Sequence, residues 1–193
     1  MTTSRRVLCV RREDELLYNP RDINSGEMTL WVDKAESENS PAYRQIIPYC
    51  VVTDCRGLIL TYRRNGSEGR LKDLFSIGVG GHVEEGETFI DCMKRELQEE
   101  IGLSEHEYSF TWTDKIIVNS DSQVSHSHLG VIVLVRLTGS HGVKESEEIN
   151  EPRHLHVEDL IGTELFLSLE GWSQCAVTWL RSRQLEINKD VTE

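Results

Sequence analysis

No stretch of this 193-residue chain approaches the roughly 18 to 20 consecutive apolar residues of a membrane-spanning helix. The short apolar patch in the N-terminal MTTSRRVLCVRREDELL is flanked by charge on both sides, so neither a signal peptide nor an anchor is expected. Cysteine is scarce and unpaired in pattern. Cys9, Cys50, Cys55, Cys92 and Cys175 form an odd set without a CxxC pair, which argues against a disulfide framework and against a thiolate zinc site. Reduced thiols in a cytoplasmic protein are the expectation. Basic charge is also in deficit, with 21 Lys and Arg against 33 Asp and Glu. A formal charge of -12 repels a polyphosphate backbone, and no basic stripe offsets it. No nucleic acid polymer and no membrane is therefore expected as a partner, whereas a small phosphorylated ligand bridged by metal remains compatible. Internal repeats and low-complexity tracts are missing too.

What is present fits one globular domain with an extension: 38% of residues are apolar and 28% charged, which excludes disorder of the whole chain. Residues 1–45 read as an N-terminal extension packed on the domain, with one strand expected around Val7, Leu8 and Val10 and then a polar, turn-rich stretch to Ser40. Residues 46–193 read as the domain proper. Ile46 to Asp54 and Leu58 to Arg64 are β-rich runs joined by Cys55-Arg56-Gly57, the pattern of a hairpin. Four glycines between Ile77 and Gly86 suggest backbone conformations closed to other residues. Further strands are expected over Tyr108 to Val118 and Leu129 to Leu137, and a last amphipathic helix over Trp172 to Leu180. Strands mixed with two or three helices imply an α+β or α/β layered domain.

The chemistry concentrates between Thr88 and Gly102. Ile90, Met93, Leu97 and Ile101 recur at spacings of three or four, one face of a helix that Gly102 terminates. Beside that face, Glu96, Glu99 and Glu100 share one arc. Clustered charges usually mark a solvated face, but three carboxylates on one patch also disfavour each other's ionised state and invite a compensating cation. Their hard oxygens suit Mg2+, with Mn2+ as a substitute. Arg95, four residues before Glu99, is placed to orient that carboxylate. Among the basic residues ahead of the glycines, Arg56, Arg63, Arg64, Arg70 and Lys72, the pair Arg63 and Arg64 is the best candidate for substrate phosphates, and His82 is structural or a phosphate contact. His126 and His128 have the spacing of a strand-borne metal pair but no third ligand nearby. Phe110, Trp112, Trp172 and Trp179 read as core aromatics.

The segment Gly81 to Leu103, GHVEEGETFIDCMKRELQEEIGL, resembles the Nudix box G-x5-E-x7-R-E-U-x-E-E-x-G-U at every specified position. Seven fixed positions, each filled by a residue type with a background of about 5 to 7%, give a chance match on the order of a few in a billion. The resemblance implies a Nudix-like α/β/α sandwich with a mixed β-sheet that hydrolyses a diphosphate bond in a nucleoside diphosphate-X or nucleoside triphosphate type of substrate. It further implies that Glu96, Glu99 and Glu100 hold the metal, that Gly80 or Gly81 adds a backbone carbonyl, and that Glu87 and Arg95 orient the ligands. In the family the general base is a box glutamate or comes from a later loop. Here Glu99 leads, with Glu147 or Glu148 next and Glu145 also available in KESEEINE.

Substrate markers outside the box are missing. No proline stands between Leu103 and Glu151, no SQPWPFP run occurs, and Val79 rather than a Phe-Pro pair precedes Gly80. The SIGVGGHV lead-in and long extension resemble a bacterial Nudix group of about this length; the extension is expected to cover the site or build a homodimer. Two alternatives are carried. A catalytically silent Nudix-fold nucleotide-binding module or regulator usually lacks box acids, and here the set is intact. A prenyl diphosphate isomerase expects a catalytic cysteine, and neither Cys50 nor Cys55 has a supporting motif.

Overall fold

The computed structural model describes residues 5–15, 17–23, 26–65, 71–118, 126–139, 143 and 145–190, with side chains through residue 184. Its backbone is a nine-stranded mixed sheet between two helical layers. The central strand is β3 (Tyr43–Thr53), whose near-continuous apolar run suits a strand covered on both faces. One edge of β3 pairs in parallel with β8 (His128–Leu137) from Gln45 to Thr53, and β8 carries β7 (Tyr108–Ile117) antiparallel beyond it. The opposite edge of β3 is shared in succession by β1 (Arg6–Arg11) near Gln45, by β6 (Gly78–Val79) at Cys50 and Val51, and by β4 (Ile59–Arg64) at Thr53 alone.

That sharing corrects the expected hairpin. The β3–β4 turn exists, tied by the Asp54 carboxylate, which accepts from the Arg56 and Leu58 N–H groups at 2.9 Å each. The ladder nevertheless stops after one pair, because β6 occupies the edge of β3 that β4 would need. β4 turns instead to β5 (Phe75–Ser76) and β9 (Ile149–Leu155).

Alternation along the strands sends side chains to two cores. Ile46, Cys50 and Val52 of β3, with Leu129, Val131, Val133 and Val135 of β8, pack against Phe89, Met93, Leu97 and Ile101 of helix α2 (Phe89–Ile101). Tyr49 and Val51 of β3 and Ile132 of β8 pack on the other face. Their partners are Val157 and Leu160 of the short α3 (Val157–Leu160), then Ala176 and Val177 of α5 (Gly171–Asp190), which runs well past its expected end at Leu180. A single turn, α4 (Glu164–Leu167), lies between them. The expected core role of the aromatics is visible in Trp112 stacked on Phe89 and in Trp172 set edge-on to Tyr49, while Phe110 is exposed. No helix among the described residues is long and apolar enough to cross a membrane.

Helix α2 is closed at both ends. Thr88 and Asp91 form a reciprocal capping box, and Gly102 takes a left-handed conformation (φ 71°) in which its N–H reaches the Gln98 carbonyl while that of Leu103 reaches Leu97. Leu97 is fully buried, so its truncation to alanine costs ~2–5 kcal/mol. The helix that carries the acids is thus fixed by its caps and its apolar face, independently of the acids themselves.

The stretch before β3 holds more structure than its polar composition suggests. β1 pairs with β2 (Thr29–Asp33), and a short α1 (Lys34–Asn39) follows, N-capped by the Asp33 carboxylate. β1 also touches the loop ahead of α2. The Leu8 N–H donates to the Val83 carbonyl at 2.9 Å and the Glu85 N–H to the Arg6 carbonyl at 3.0 Å. Among the described residues, β1 therefore runs along the loop that follows the glycine bend.

Candidate active site

The bend from Gly78 to Gly81 is shaped by close approach. A Cβ on Gly80 would overlap the Pro48 carbonyl oxygen of β3, and one on Gly81 would overlap the carboxylate of Glu96. Of the four glycines between Ile77 and Gly86 only Gly86 has a left-handed φ (102°). The expected backbone freedom is thus required once, and lack of a side chain explains the others. At the far end of the bend, the buried Glu170 accepts from the Tyr49 hydroxyl (2.8 Å), the Trp172 N–H (2.7 Å), the Ser173 N–H (2.8 Å) and the Ser173 hydroxyl (2.5 Å). Ser173 Oγ in turn accepts the Ile77 N–H at 3.0 Å. Helix α5 thereby anchors the strand that leads into the glycines.

Opposite the bend, α2 presents its acids at different depths. Glu96 is 13% exposed and turned to Gly81, and Glu100 lies within 3.4 Å of the Gly80 N–H. Glu99, 61% exposed, is turned to Arg95 instead. Arg95 is the hub of the array. Its Nε and a terminal nitrogen fork onto Glu87 at 3.1 and 2.8 Å, its other nitrogen reaches Glu96 at 2.6 Å and Glu99 at 3.2 Å, and it also donates to the His82 carbonyl at 3.1 Å. Glu87 completes the brace by accepting the Glu84 N–H at 2.8 Å. Burial raises the Glu87 carboxyl, but the Arg95 fork and that N–H outweigh it and hold it below the usual range.

Glu100 is perturbed most. Burial first, then the neighbouring Glu148 and Glu96, push its carboxyl up to about 8 against the opposing pull of Arg64 and the Gly80 N–H. Glu96 is raised for the same leading reason, with Arg95 opposing and Glu99 and Glu148 adding to the rise.

A cavity of about 250 Å³ opens between bend and helix. Gly80, Gly81, His82, Glu96 and Glu100 line it from the box region; Arg64, Lys72 and Glu148 come from β4 and two loops. Glu148 is steered there by its turn. The Asn65 N–H donates to its carbonyl at 2.9 Å, and the Ser146 hydroxyl reaches the Glu100 carbonyl at 3.3 Å. Two further lining residues, Arg5 and Lys34, went unnoticed in the sequence. Arg5 lies one residue before β1 and Lys34 at the start of α1, with no motif around them, and the pairing of β1 with β2 and with the Val83 loop brings them here.

Not every candidate converges. Arg63 is not among the cavity-lining residues: alternation along β4 turns it away from Arg64, onto Glu151 at 3.3 Å and over the Phe75 ring. Glu99 and Glu147 do not line the cavity, and the Glu145 carboxylate accepts the Glu151 N–H at 3.2 Å. Arg70 lies outside the described residues. His82 reaches not the neighbouring carboxylates but His128, Nε2 to Nε2 at 3.0 Å. Burial, with His128 and nearby cations, lowers its imidazole to about 3 and keeps it neutral. His126 and His128 form no pair of ligands; the His126 carbonyl accepts from Arg44 while His128 faces His82. Cys50 is fully buried and its thiol pushed up by burial, unlike a nucleophile.

Among the described residues no three His, Cys, Asp or Glu side chains stand together as a ready coordination sphere. The donors at the bend still suit a hard divalent cation. Glu96, Glu100 and Glu148 offer hard oxygen donors, like charge from Glu96 and Glu148 raises Glu100, and the missing side chain at Gly81 lets the Glu96 carboxylate come up against the bend.

The mixed sheet with helices on its two faces matches the structures of Nudix hydrolases. The model of the NUDIX domain matches residues 44–180, and the chain belongs to that family. Protein YmaB of Bacillus subtilis (strain 168) is 30% identical over 155 residues, 75% of this chain and 74% of YmaB. The crystal structure of Tm1382 superposes with a TM-score of 0.70 at 27% identity, covering 91% of this chain and 97% of Tm1382. A C. elegans Ap4A hydrolase shares the fold at 16% identity, with a TM-score of 0.54 over 72% of this chain and 98% of its own. Nudix hydrolases generally use divalent metals.

Proposed function

We propose that the protein is a Mg2+-dependent hydrolase, also served by Mn2+, that cleaves the diphosphate bond of a nucleoside diphosphate-X or nucleoside triphosphate type of substrate. The observation that carries this reading is the placement of Glu96 and Glu100 against Gly80 and Gly81 in one cavity with the cations Arg64 and Lys72. Glu96, Glu100 and the Gly81 carbonyl would hold the metal, with Glu99 at the exposed side of the helix as a further donor. Bound there, a divalent ion supplies charge neutralisation for adjacent phosphates and acidifies water.

The chain does the rest. Arg64 and Lys72 take phosphate oxygens and orient the anhydride, a task suited to the few positive donors of an acidic protein. Glu148 accepts the proton of the attacking water; of the acids weighed as base, it is the one that lines the cavity beside Glu96 and Glu100. Arg95 and Glu87 keep Glu96 from sampling other rotamers. Water attacks phosphorus, the bridging P–O bond breaks, and two phosphorylated products leave.

The test is incubation of the full chain with Mg2+ and a panel of nucleoside triphosphates, nucleotide sugars and dinucleotides, with products identified by mass. Turnover of at least one substrate, lost in Glu100→Gln, is expected. Tight binding with every ligand recovered intact would instead select the silent binding module.

A further inference from the structure

Two cations of the cavity come from outside the family-matched region: Arg5 and Lys34 precede residue 44, where that match begins. Their position is built by the sheet. β1 and β2 pair with Arg6 opposite Asp33, and the Lys34 N–H donates to the Arg5 carbonyl at 2.8 Å, which sets the two side chains side by side. β1 is then fastened to the loop ahead of α2 by its two backbone bonds to Val83 and Glu85, and by Arg6, which reaches Glu85 at 2.5 Å and the Trp31 carbonyl at 2.8 Å. Val7, fully buried, pins the strand.

The lining of the cavity holds one more cation than acid. Arg5, Lys34, Arg64 and Lys72 face Glu96, Glu100 and Glu148. Were those carboxylates to hold a metal, Arg5 and Lys34 would keep the acids outside the lining with which they pair. Arg5 is half-exposed and bonded to Glu84, and Lys34 lies 3.7 Å from Glu38. Exposed pairs of this kind are weak, so a phosphate oxygen displaces the carboxylate at little cost. The described lining has no aromatic ring besides the His82 imidazole, so affinity at this cavity comes from phosphate charge rather than base stacking.

We propose that Arg5 and Lys34 are substrate-binding residues that contact phosphate groups beyond the scissile diphosphate, so that the N-terminal segment makes the site selective for chains of three or more phosphates over a diphosphate. This rests on the hydrolase reading for its place in catalysis, but as a binding claim it stands apart from turnover.

The experiment is calorimetric binding of two non-hydrolysable probes, imidotriphosphate and imidodiphosphate, to the full chain in Mg2+, for wild type, Arg5→Met, Lys34→Met and Lys34→Arg. Wild type is expected to bind imidotriphosphate the tighter. Each Met variant weakens imidotriphosphate roughly tenfold, imidodiphosphate by less, and flattens the salt dependence, as loss of one charge-assisted contact requires. Lys34→Arg retains affinity, and ligand-free melting stays unchanged. Imidotriphosphate binding within twofold of wild type in both Met variants, or equal loss for both probes, would overturn the proposal. The two claims separate cleanly: Lys34-dependent binding without turnover of any substrate removes the hydrolase reading alone, and turnover with Lys34-independent binding removes this one alone.

Discussion

Gly80 and Gly81 are adjacent and chemically identical, yet alanine should act on them in opposite ways. Neither has a left-handed φ, so alanine is conformationally allowed at both and by itself would stabilise by ~0.4–1 kcal/mol through the unfolded chain. At Gly80 the new methyl meets the Pro48 carbonyl oxygen, backbone of the central strand that β8 holds in register from Gln45 to Thr53, and nothing there yields cheaply. Overpacking of this kind costs ~1–3 kcal/mol or more, so a net loss of about 2 kcal/mol is expected, or about 4–8 °C in Tm for a domain of this size. At Gly81 the nearest atoms to the methyl are the end of the Glu96 side chain, which can be displaced at the cost of its hydrogen bond from Arg95. Gly81→Ala should therefore stay within ~1 kcal/mol of wild type in urea denaturation while Mg2+-dependent kcat/KM falls about 100-fold, because a carboxylate meant for metal has been displaced. A Gly80→Ala protein as stable as wild type, or a fully active Gly81→Ala, would refute the close-approach reasoning.

Removing the buried Glu170 by Glu170→Ala strands two backbone N–H groups and leaves the Tyr49 hydroxyl only Ser173; a loss of ~3 kcal/mol in urea denaturation is expected, and a change under 1 kcal/mol would contradict it. Arg95→Lys keeps the charge but loses the fork onto Glu87, so kcat/KM should drop ~10–100-fold with thermal stability little altered; an unchanged rate would show that the fork does not orient Glu96. Glu100 yields a pH signature. A carboxyl raised in the fold contributes stability that is present below its unfolded value and is lost as pH rises through its folded one. Metal-free wild type should thus weaken relative to Glu100→Gln between pH 4.5 and about 8, with a constant gap above, and Mg2+ should narrow that gap; a flat difference in melting across the range would refute the burial of Glu100.

The parts legible in the sequence are those written in local spacing. The apolar period, the Thr88 cap and Gly102 define α2 before any fold is known, and the box places Glu87, Arg95, Glu96 and Glu100 in their observed partnerships. What stayed hidden depends on register or on distant contacts. Whether Arg63 or Arg64 enters the cavity is decided by which face of β4 each occupies, and that follows from pairing with β5 and β9. The expected hairpin is present but its ladder ends after one pair, because two residues from the glycine stretch take the neighbouring part of that edge of β3. Glu148 stands among several equivalent acids until the Ser146 turn selects it. Glu170 looks like a surface acid, yet it is buried because four donors surround it. Arg5 and Lys34 meet the glycine bend only through a strand whose polar surroundings gave no period to read.

The most direct test is titration of the full chain with Mn2+ followed by electron paramagnetic resonance, comparing wild type with Glu96→Gln and Glu100→Gln. A bound signal in wild type, weakened at least tenfold in each variant, is expected if these carboxylates hold the ion at the glycine bend. Equal Mn2+ uptake by all three proteins would contradict it.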